Sequence, residues 1–264
     1  MAKKSLGQNF LIDHNIAKKI NRLIKDYRNY NLIEVGPGKG FLTDHLINNE
    51  FQNFILIEKD YELYLKLVDK FKSHNNIKIF NEDAVSEKII SNIDKPKIIV
   101  SNLPYNISIK LITKWLEEIN EYLGLFLMIQ KEVADRFKYQ ENSKINRLNL
   151  LAYLMSNYKK EFDVSPNVFI PKPKVTSSVV SFKPNIKEKL NLDKFKSFTR
   201  ILFSTKRKKI INNLIRNQIY KEIINKEDIL KETNIDLNKR PEDLNFKETI
   251  MLYNILNKQT SSFS

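Results

Sequence analysis

The 264-residue sequence predicts an α/β fold: a mostly parallel sheet covered by helices, an antiparallel hairpin at one edge, and a small all-α domain at the C-terminal end. Three observations carry this expectation. Through residue 183, short apolar runs alternate with amphipathic stretches, the rhythm of parallel strands joined by helical crossovers. Two later runs are then joined by a proline-rich segment with no helix between them. Beyond Lys183-Pro184 strand-like runs cease and apolar residues recur at helical spacing.

Taken in order, "YNLIEVG" (30–36), "NFILIEK" (53–59), "NIKIFNED" (76–83), "KIIVSN" (97–102) and "GLFLMIQ" (124–130) are short apolar runs of the kind that become buried strands. Ile16 to Ile24 and Ile109 to Leu116 are amphipathic and read as crossover helices. "YKKEFDVS" (158–165) and "VTSSVVSF" (175–182), linked through "PNVFIPKPK", are expected to form the antiparallel pair, since proline confines such segments to a sheet edge. Phe195, Phe198, Ile201 and Leu202, then Ile210, Ile211, Leu214 and Ile215, give helical stripes. Arg240-Pro241-Glu242 reads as the opening of a last helix, with proline at its first position. The domain boundary is therefore expected near 184/185, giving units 1–184 and 185–264, with a frayed tail "QTSSFS".

Composition narrows the function. An apolar fraction of 42% with 29% charged residues is that of a folded protein. With no cysteine there is no disulfide, thiol nucleophile or Cys-ligated zinc, and His14, His45 and His74 are too scattered in sequence to suggest a metal cluster. No apolar run approaches the ~18 residues that suggest a membrane span. The start, "MAKKSLGQNFLIDHN", lacks the apolar stretch and cleavage site of a secretory signal, so a cytoplasmic location is expected. A net charge of +14 favours a polyanionic partner, or reflects a lysine-rich composition alone. Between Lys183 and Asn217 eleven Lys or Arg face only Glu188 and Asp193, which concentrates the charge there.

Chemistry gathers at the carboxyl ends of the strands. "LIEVGPGKGFLTDHL" runs strand, acidic residue, Gly36-Pro37-Gly38-Lys39-Gly40, helix. A dinucleotide fingerprint requires its third glycine one residue later, so this turn fits a smaller cationic nucleoside without a pyrophosphate better than NAD. Glu58, about twenty residues on, stands where a carboxylate accepts both hydroxyls of a ribose. Asp83, in Glu82-Asp83-Ala84 at the next strand end, can accept from an adenine amine. Each feature alone has a plain structural reading. Together they fall on one sheet edge, where such folds bind ligands, in the layout of S-adenosylmethionine-dependent methyltransferases. The fourth strand ends in "SNLPYNIS" (101–108), which places an amide, a proline and an aromatic ring on the same edge.

"SLGQNFLIDHNIAKKI", "SNLPYNIS", "MIQKEVADR", "NVFIPKPKVTSSVV", "STKRKKIINNLI" and "KRPEDLNF", in this order over nearly the whole chain, resemble the ribosomal RNA adenine dimethyltransferase family. The resemblance implies a Rossmann-like class I methyltransferase domain using S-adenosyl-L-methionine, followed by a helical RNA-binding domain. It implies cofactor contacts at Asn9, Leu11, Gly36, Gly38, Glu58, Asp83 and Asn102. It also implies a substrate site at Asn102, Leu103, Pro104 and Tyr105, with Phe169 as a second stacking face, and RNA contacts at Lys206, Arg207, Lys208 and Lys209. The family's tail motif begins with two arginines; Lys206 replaces the first and lacks the planar guanidinium fork. The implied partner is small-subunit rRNA or the assembling small subunit, met by a monomer without a metal. Three rival readings remain at this point: a large-subunit rRNA methyltransferase of the same superfamily, a non-catalytic assembly or transcription factor of this fold, and a DNA adenine methyltransferase. Leu103, where the large-subunit group more often carries isoleucine, and the intact Glu58 and Asp83 weigh against the first two. The third lacks the separate base-reading domain it would need.

The tetrad Asn102-Leu103-Pro104-Tyr105 has a direct chemical reading. An aromatic amine is a poor nucleophile because its lone pair is delocalised. Acceptors at the Asn102 side-chain oxygen and the Leu103 carbonyl would draw both N–H groups toward a tetrahedral nitrogen. Pro104 would fix the backbone and Tyr105 would offer a stacking face.

Overall fold

The computed structural model describes residues 9–86, 90 and 92–261; residues 5–8 of the N-terminal motif and 262–264 of the tail lie outside them. The chain divides into two units, residues 1–138 with 155–186, and residues 139–154 with 187–264. The second unit thus begins at Lys187 rather than 185 and also takes in 139–154. That stretch carries Arg147–Met155, an apolar helix whose Tyr153 packs against Tyr139 and Phe246. A linear boundary drawn where strands give way to helices misses such an excursion, because nothing in local composition marks it.

The first unit opens with β1 (Phe10–Leu11) and α1 (His14–Ile24), followed by β2 (Asn31–Val35), α2 (Phe41–Leu46), β3 (Asn53–Ile57) and α3 (Tyr61–Phe71). Next come β4 (Ile77–Phe80), β5 (Lys97–Asn102), α4 (Ser108–Glu117), β6 (Tyr122–Gln130) and α5 (Lys131–Phe137). After the helix α6 (Arg147–Met155), the unit resumes with β7 (Ser156–Val164), β8 (Phe169–Ile170) and β9 (Ser177–Pro184). The main sheet has the order β4-β3-β2-β5-β6-β9-β7. Its first five strands are parallel, and β9 pairs antiparallel with both β6 and β7. The expected hairpin is therefore present, with β9 wedged inside and β7 at the edge.

Strand β2 is buried along its whole length, which is why it reads as a near-continuous apolar run with no alternation. The helices show the complementary pattern: α1 buries Ala17, Ile20 and Ile24 on one face and is capped by Asp13, whose carboxylate accepts the Ile16 N–H at 2.9 Å. At the amino end of β5, fully buried Lys97 donates to the carbonyls of Ile90 (2.8 Å) and Ile93 (3.0 Å). A polar group can be buried there because its bonds are satisfied. Strand β8 falls within the proline-rich connection and pairs antiparallel with β1, Phe10 opposite Ile170 and Leu11 opposite Phe169. Two residues on each side carry no periodicity, so this ladder has no sequence signal.

The second unit carries α7 (Leu192–Leu202), α8 (Ile210–Leu214), α9 (Gln218–Ile223), α10 (Lys226–Thr233) and α11 (Phe246–Ser261). Phe195, Phe198, Leu202, Ile210, Leu214, Leu252 and Tyr253 are buried in it. One expectation fails: Arg240-Pro241-Glu242 begins a short 3-10 turn, Pro241–Asp243, not the last helix. The helix starts after Asn245, whose side chain accepts the Glu248 N–H (2.9 Å) while Glu248 accepts the Asn245 N–H (2.7 Å). This reciprocal box satisfies two end donors, whereas Pro241 supplies only a favourable φ.

Candidate active site

At the carboxyl edge of the parallel strands lies a cavity of about 310 Å³, within the ~300–1,000 Å³ range of small-molecule sites. It is built wholly from the first unit, and four strand ends supply its floor. Strand β2 runs into Gly36, and the Gly36 N–H donates to the carbonyl of Ile57 at the end of β3 (2.9 Å). Gly36 and Gly38 adopt left-handed φ of 66° and 59°, which a side chain disfavours. A Cβ at Gly36 would stand in open space on the cavity wall, while one at Gly38 would lie 2.9 Å from the Phe10 ring. The turn is therefore shaped both by what enters the cavity and by the roof above it.

Glu58 follows β3 and is 6% exposed. Its Oε2 accepts the Gly38 N–H at 3.0 Å and its Oε1 accepts the Asp60 N–H at 2.9 Å. Burial pushes its pKa up, with the backbone N–H bonds working against the shift. Each oxygen keeps a further lone pair for a ligand hydroxyl. Asp83 sits in the turn after β4, where Lys59 donates to its Oδ2 (2.8 Å) and the Val85 N–H to its Oδ1 (2.9 Å). Partial burial would raise the Asp83 pKa, but these bonds outweigh it and hold the carboxyl below its ordinary value.

The tip of β5 is tied down from several sides. The Ser101 hydroxyl donates to the Val35 carbonyl, and the Leu103 N–H donates to the Met128 carbonyl at 3.0 Å. The Ile107 N–H donates to the Pro104 carbonyl (3.2 Å), closing a turn into α4. The Tyr105 hydroxyl shares a 2.9 Å hydrogen bond with Ser177 of β9, and burial pushes its pKa up. The Asn102 side-chain nitrogen donates to the Asn9 carbonyl at 2.9 Å. Roof and floor are thereby joined, since Asn9 to Ile12 line the same cavity.

The structure brings together Asn9, Leu11, Gly36, Gly38, Glu58, Asp83, Asn102, Leu103, Pro104 and Tyr105 around one space. Phe169 is the exception. It is 2% exposed, belongs to the buried cluster with Leu11, Met128, Val164 and Val179, and offers no face to the cavity. Side chains alternate along β8, so the cavity side goes to Ile170, which is 56% exposed and lines it. Lys206, Arg207, Lys208 and Lys209 are all exposed, in the second unit, on the turn that leads into α8.

Several contributors went unmarked in the sequence. Phe10, Ile12 and Ile170 enter through the β1–β8 ladder, and Lys39 stands over the Phe10 ring at 5.1 Å. Ser177, which holds Tyr105, lies inside the quoted "KVTSSVV" but carries no distinguishing mark there. Glu34, by contrast, is marked in the sequence as the acidic residue two before Gly36; it lines the cavity with its Oε2 accepting the Thr43 hydroxyl at 2.7 Å. His14 and His45, distant in sequence, meet at 2.9 Å between ring nitrogens. Among the described residues no group of three His, Cys, Asp or Glu is placed to hold a metal, and no helix is long and apolar enough to cross a membrane.

The donor set fits S-adenosylmethionine: a glycine turn with room beside it, a carboxylate for a diol, and an acidic side chain at the next strand end. The family model "Ribosomal RNA adenine dimethylase" matches residues 1–258. A ribosomal RNA small subunit methyltransferase A from Wolbachia sp. subsp. Drosophila simulans is 38% identical over 256 residues, covering 96% of this chain and 92% of its own. The protein of the same name from Pelagibacter ubique is 40% identical over 254 residues, covering 92% of each. A dimethyladenosine transferase crystal structure from Plasmodium falciparum shares the fold with a TM-score of 0.79 at 24% identity, covering 95% of this chain and 98% of its own. The family model spans nearly the whole chain and both relatives exceed 30% identity over more than nine-tenths of it, so the chain belongs to the ribosomal RNA adenine dimethylase family.

Proposed function

We propose that the protein transfers methyl groups from S-adenosylmethionine to N6 of two adjacent adenosines in a hairpin near the 3′ end of small-subunit rRNA. The product is N6,N6-dimethyladenosine, made during small-subunit biogenesis. The observation that carries the chemistry is the Asn102 amide, fixed at the tip of β5 beside the glycine turn.

When bound, the cofactor supplies an electrophilic sulfonium methyl. The chain's residues hold and orient. Glu58 accepts the ribose hydroxyls, Asp83 accepts the adenine amine, and Asn9, Leu11, Gly36 and Gly38 enclose the rest. With its nitrogen turned to the Asn9 carbonyl, Asn102 directs its oxygen to the target amine, and the Leu103 carbonyl takes the second N–H. Pro104 stiffens that carbonyl and Tyr105, anchored by Ser177, gives the flipped-out base a face. Orientation and pre-set dipoles supply the rate, with no covalent intermediate on the protein. The methylated ammonium is acidic enough to lose its proton to water.

Lys206 to Lys209 make the RNA-facing patch of the helical unit, acting chiefly through phosphate charge. The protein works as a cytoplasmic monomer. The names of its relatives support the small subunit as target. The test is methyl transfer from labelled cofactor to unmethylated small subunits, large subunits and duplex DNA in parallel. Label in the small subunit, recovered as dimethyladenosine, is expected. Preferential label in large subunits or DNA overturns the assignment.

A further inference from the structure

Glu34 is the penultimate residue of β2 and is 2% exposed, yet it lines the cavity. Its Oε2 accepts the hydroxyl of Thr43, itself fully buried on α2, at 2.7 Å. The charged groups around it come from three elements. Asp44 on α2 and Glu58 after β3 are acidic and line the same cavity. Lys70 on α3 is basic, but its ammonium is committed to Asp44 Oδ2 (2.6 Å) and to the carbonyls of Lys39 (3.2 Å) and Gly40 (3.3 Å). On the other side, the tip of β5 offers Ser101 and Asn102, neither of which titrates. An ionised Glu34 would thus stand among the charges of Asp44 and Glu58, with Lys70, the nearby cation, already paired to Asp44.

We propose that Glu34 is a proton-linked charge sensor of the cavity, neutral in the free protein and ionised when a ligand places positive charge there. This rests on the cofactor reading given above. Burial pushes the Glu34 carboxyl up to about 8; the Thr43 hydroxyl opposes the shift and the charges of Asp44 and Glu58 add to it. A cation in the cavity supplies the missing counter-charge, and the Glu34 proton leaves to solvent. The consequence is selectivity between two ligands that differ by one methyl. S-Adenosylmethionine carries a positive sulfur, whereas S-adenosylhomocysteine, left after transfer, has a neutral thioether. Glu34 ionises for the first and takes its proton back for the second, so the wall stops rewarding the ligand once the methyl has gone. Linkage requires the preference for the cation to grow with pH while Glu34 is still protonated in the free protein.

The test is calorimetric binding of each ligand to the full chain at pH 7, in two buffers of different ionisation enthalpy, for wild type and Glu34→Gln. Wild type is expected to release more protons with S-adenosylmethionine than Glu34→Gln does, and the two proteins to match with S-adenosylhomocysteine; comparing the two proteins with one ligand cancels that ligand's own amine. The affinity ratio of the two ligands is expected to rise at least fivefold from pH 6 to pH 8 in wild type and to stay flatter in the variant. A second variant, Thr43→Val, keeps the carboxyl but removes its hydroxyl partner, and should move the midpoint of this rise to higher pH. Equal proton counts in wild type and Glu34→Gln, or an unmoved midpoint in Thr43→Val, overturn the inference alone. If neither ligand binds wild type, the cofactor reading falls and takes the inference with it.

Discussion

The Asn102 side-chain nitrogen donates to the Asn9 carbonyl at 2.9 Å, which commits the nitrogen end of that amide to the roof of the cavity. An acceptor aimed from a strand tip is of more use than one free to rotate, because no reorganisation is needed when the amine arrives. Asn102→Ala removes both the acceptor and the tie to the roof. Turnover should fall by about 10²–10³-fold, the range seen for loss of one pre-set polar group in an active site. Cofactor affinity, measured by calorimetry, should weaken by less than tenfold. Turnover within a factor of three of wild type would dismiss the amine-orienting role.

Gly38→Ala tests whether roof and turn are one unit. The added Cβ would stand 2.9 Å from the Phe10 ring at a φ of 59°, so it meets both backbone strain and a steric clash. The backbone part alone costs about 1–2 kcal/mol. Cofactor affinity is expected to drop at least tenfold, with thermal stability lowered. Shortening the ring with Phe10→Leu in the same chain should restore part of the affinity. No recovery there would show that the clash is not the cause.

Phe169 separates a wall from a stacking face. As a core residue it should tolerate Phe169→Leu with little change in turnover, while Phe169→Ala lowers stability by about 3–5 kcal/mol. Denaturant unfolding and turnover measured on the same preparations decide this. A Leu variant of normal stability but tenfold slower turnover would place the ring against the substrate after all.

Glu34 makes a prediction for the free protein as well. Its folded pKa is raised from 4.5 to about 8, so the native state holds a proton that the unfolded state loses first. That contribution is fully present below pH 4.5 and is lost as pH rises toward 8, by a few kcal/mol in all. Glu34→Gln should flatten the fall in stability across this window in urea unfolding at pH 5, 6.5 and 8. Parallel pH profiles for the two proteins would contradict it.

Lys59→Met addresses the Lys59–Asp83 ion pair beside the cavity. Both partners are partly exposed, 60% and 38%, so the pair adds well under 1 kcal/mol to stability. Its effect is expected on ligand binding instead. Cofactor affinity should change two- to fivefold and lose part of its salt dependence, with melting temperature unmoved. A large stability loss would assign Lys59 a structural role.

How far the sequence discloses this protein depends on the length of the signal. Parallel strands such as 97–102 are legible because a strand buried on both faces must be apolar throughout. The glycine turn, Glu58, Asp83 and the 102–105 tetrad are legible as a group because each follows a strand end of one sheet edge, and they line one cavity. The β1–β8 ladder is not legible, being two residues long and formed between distant segments. Phe169 misleads for the same reason: without that pairing, nothing says which of Phe169 and Ile170 turns inward. The segment 139–154 joins the helical unit through Tyr139 and Tyr153 packing on Phe246, a contact with no local trace.

The ladder between Phe10–Leu11 and Phe169–Ile170, with Ile12 donating to Val168 at 2.9 Å, also imposes an order in time. A nascent chain can lay down its five parallel strands before residue 169 has been made, yet until then the roof segment lacks its strand partner. The roof is thus completed late in synthesis, once a very long loop has been closed by a very short seam. The same seam should be the first to unzip under mild denaturant, opening the chamber well before the strands beneath it separate.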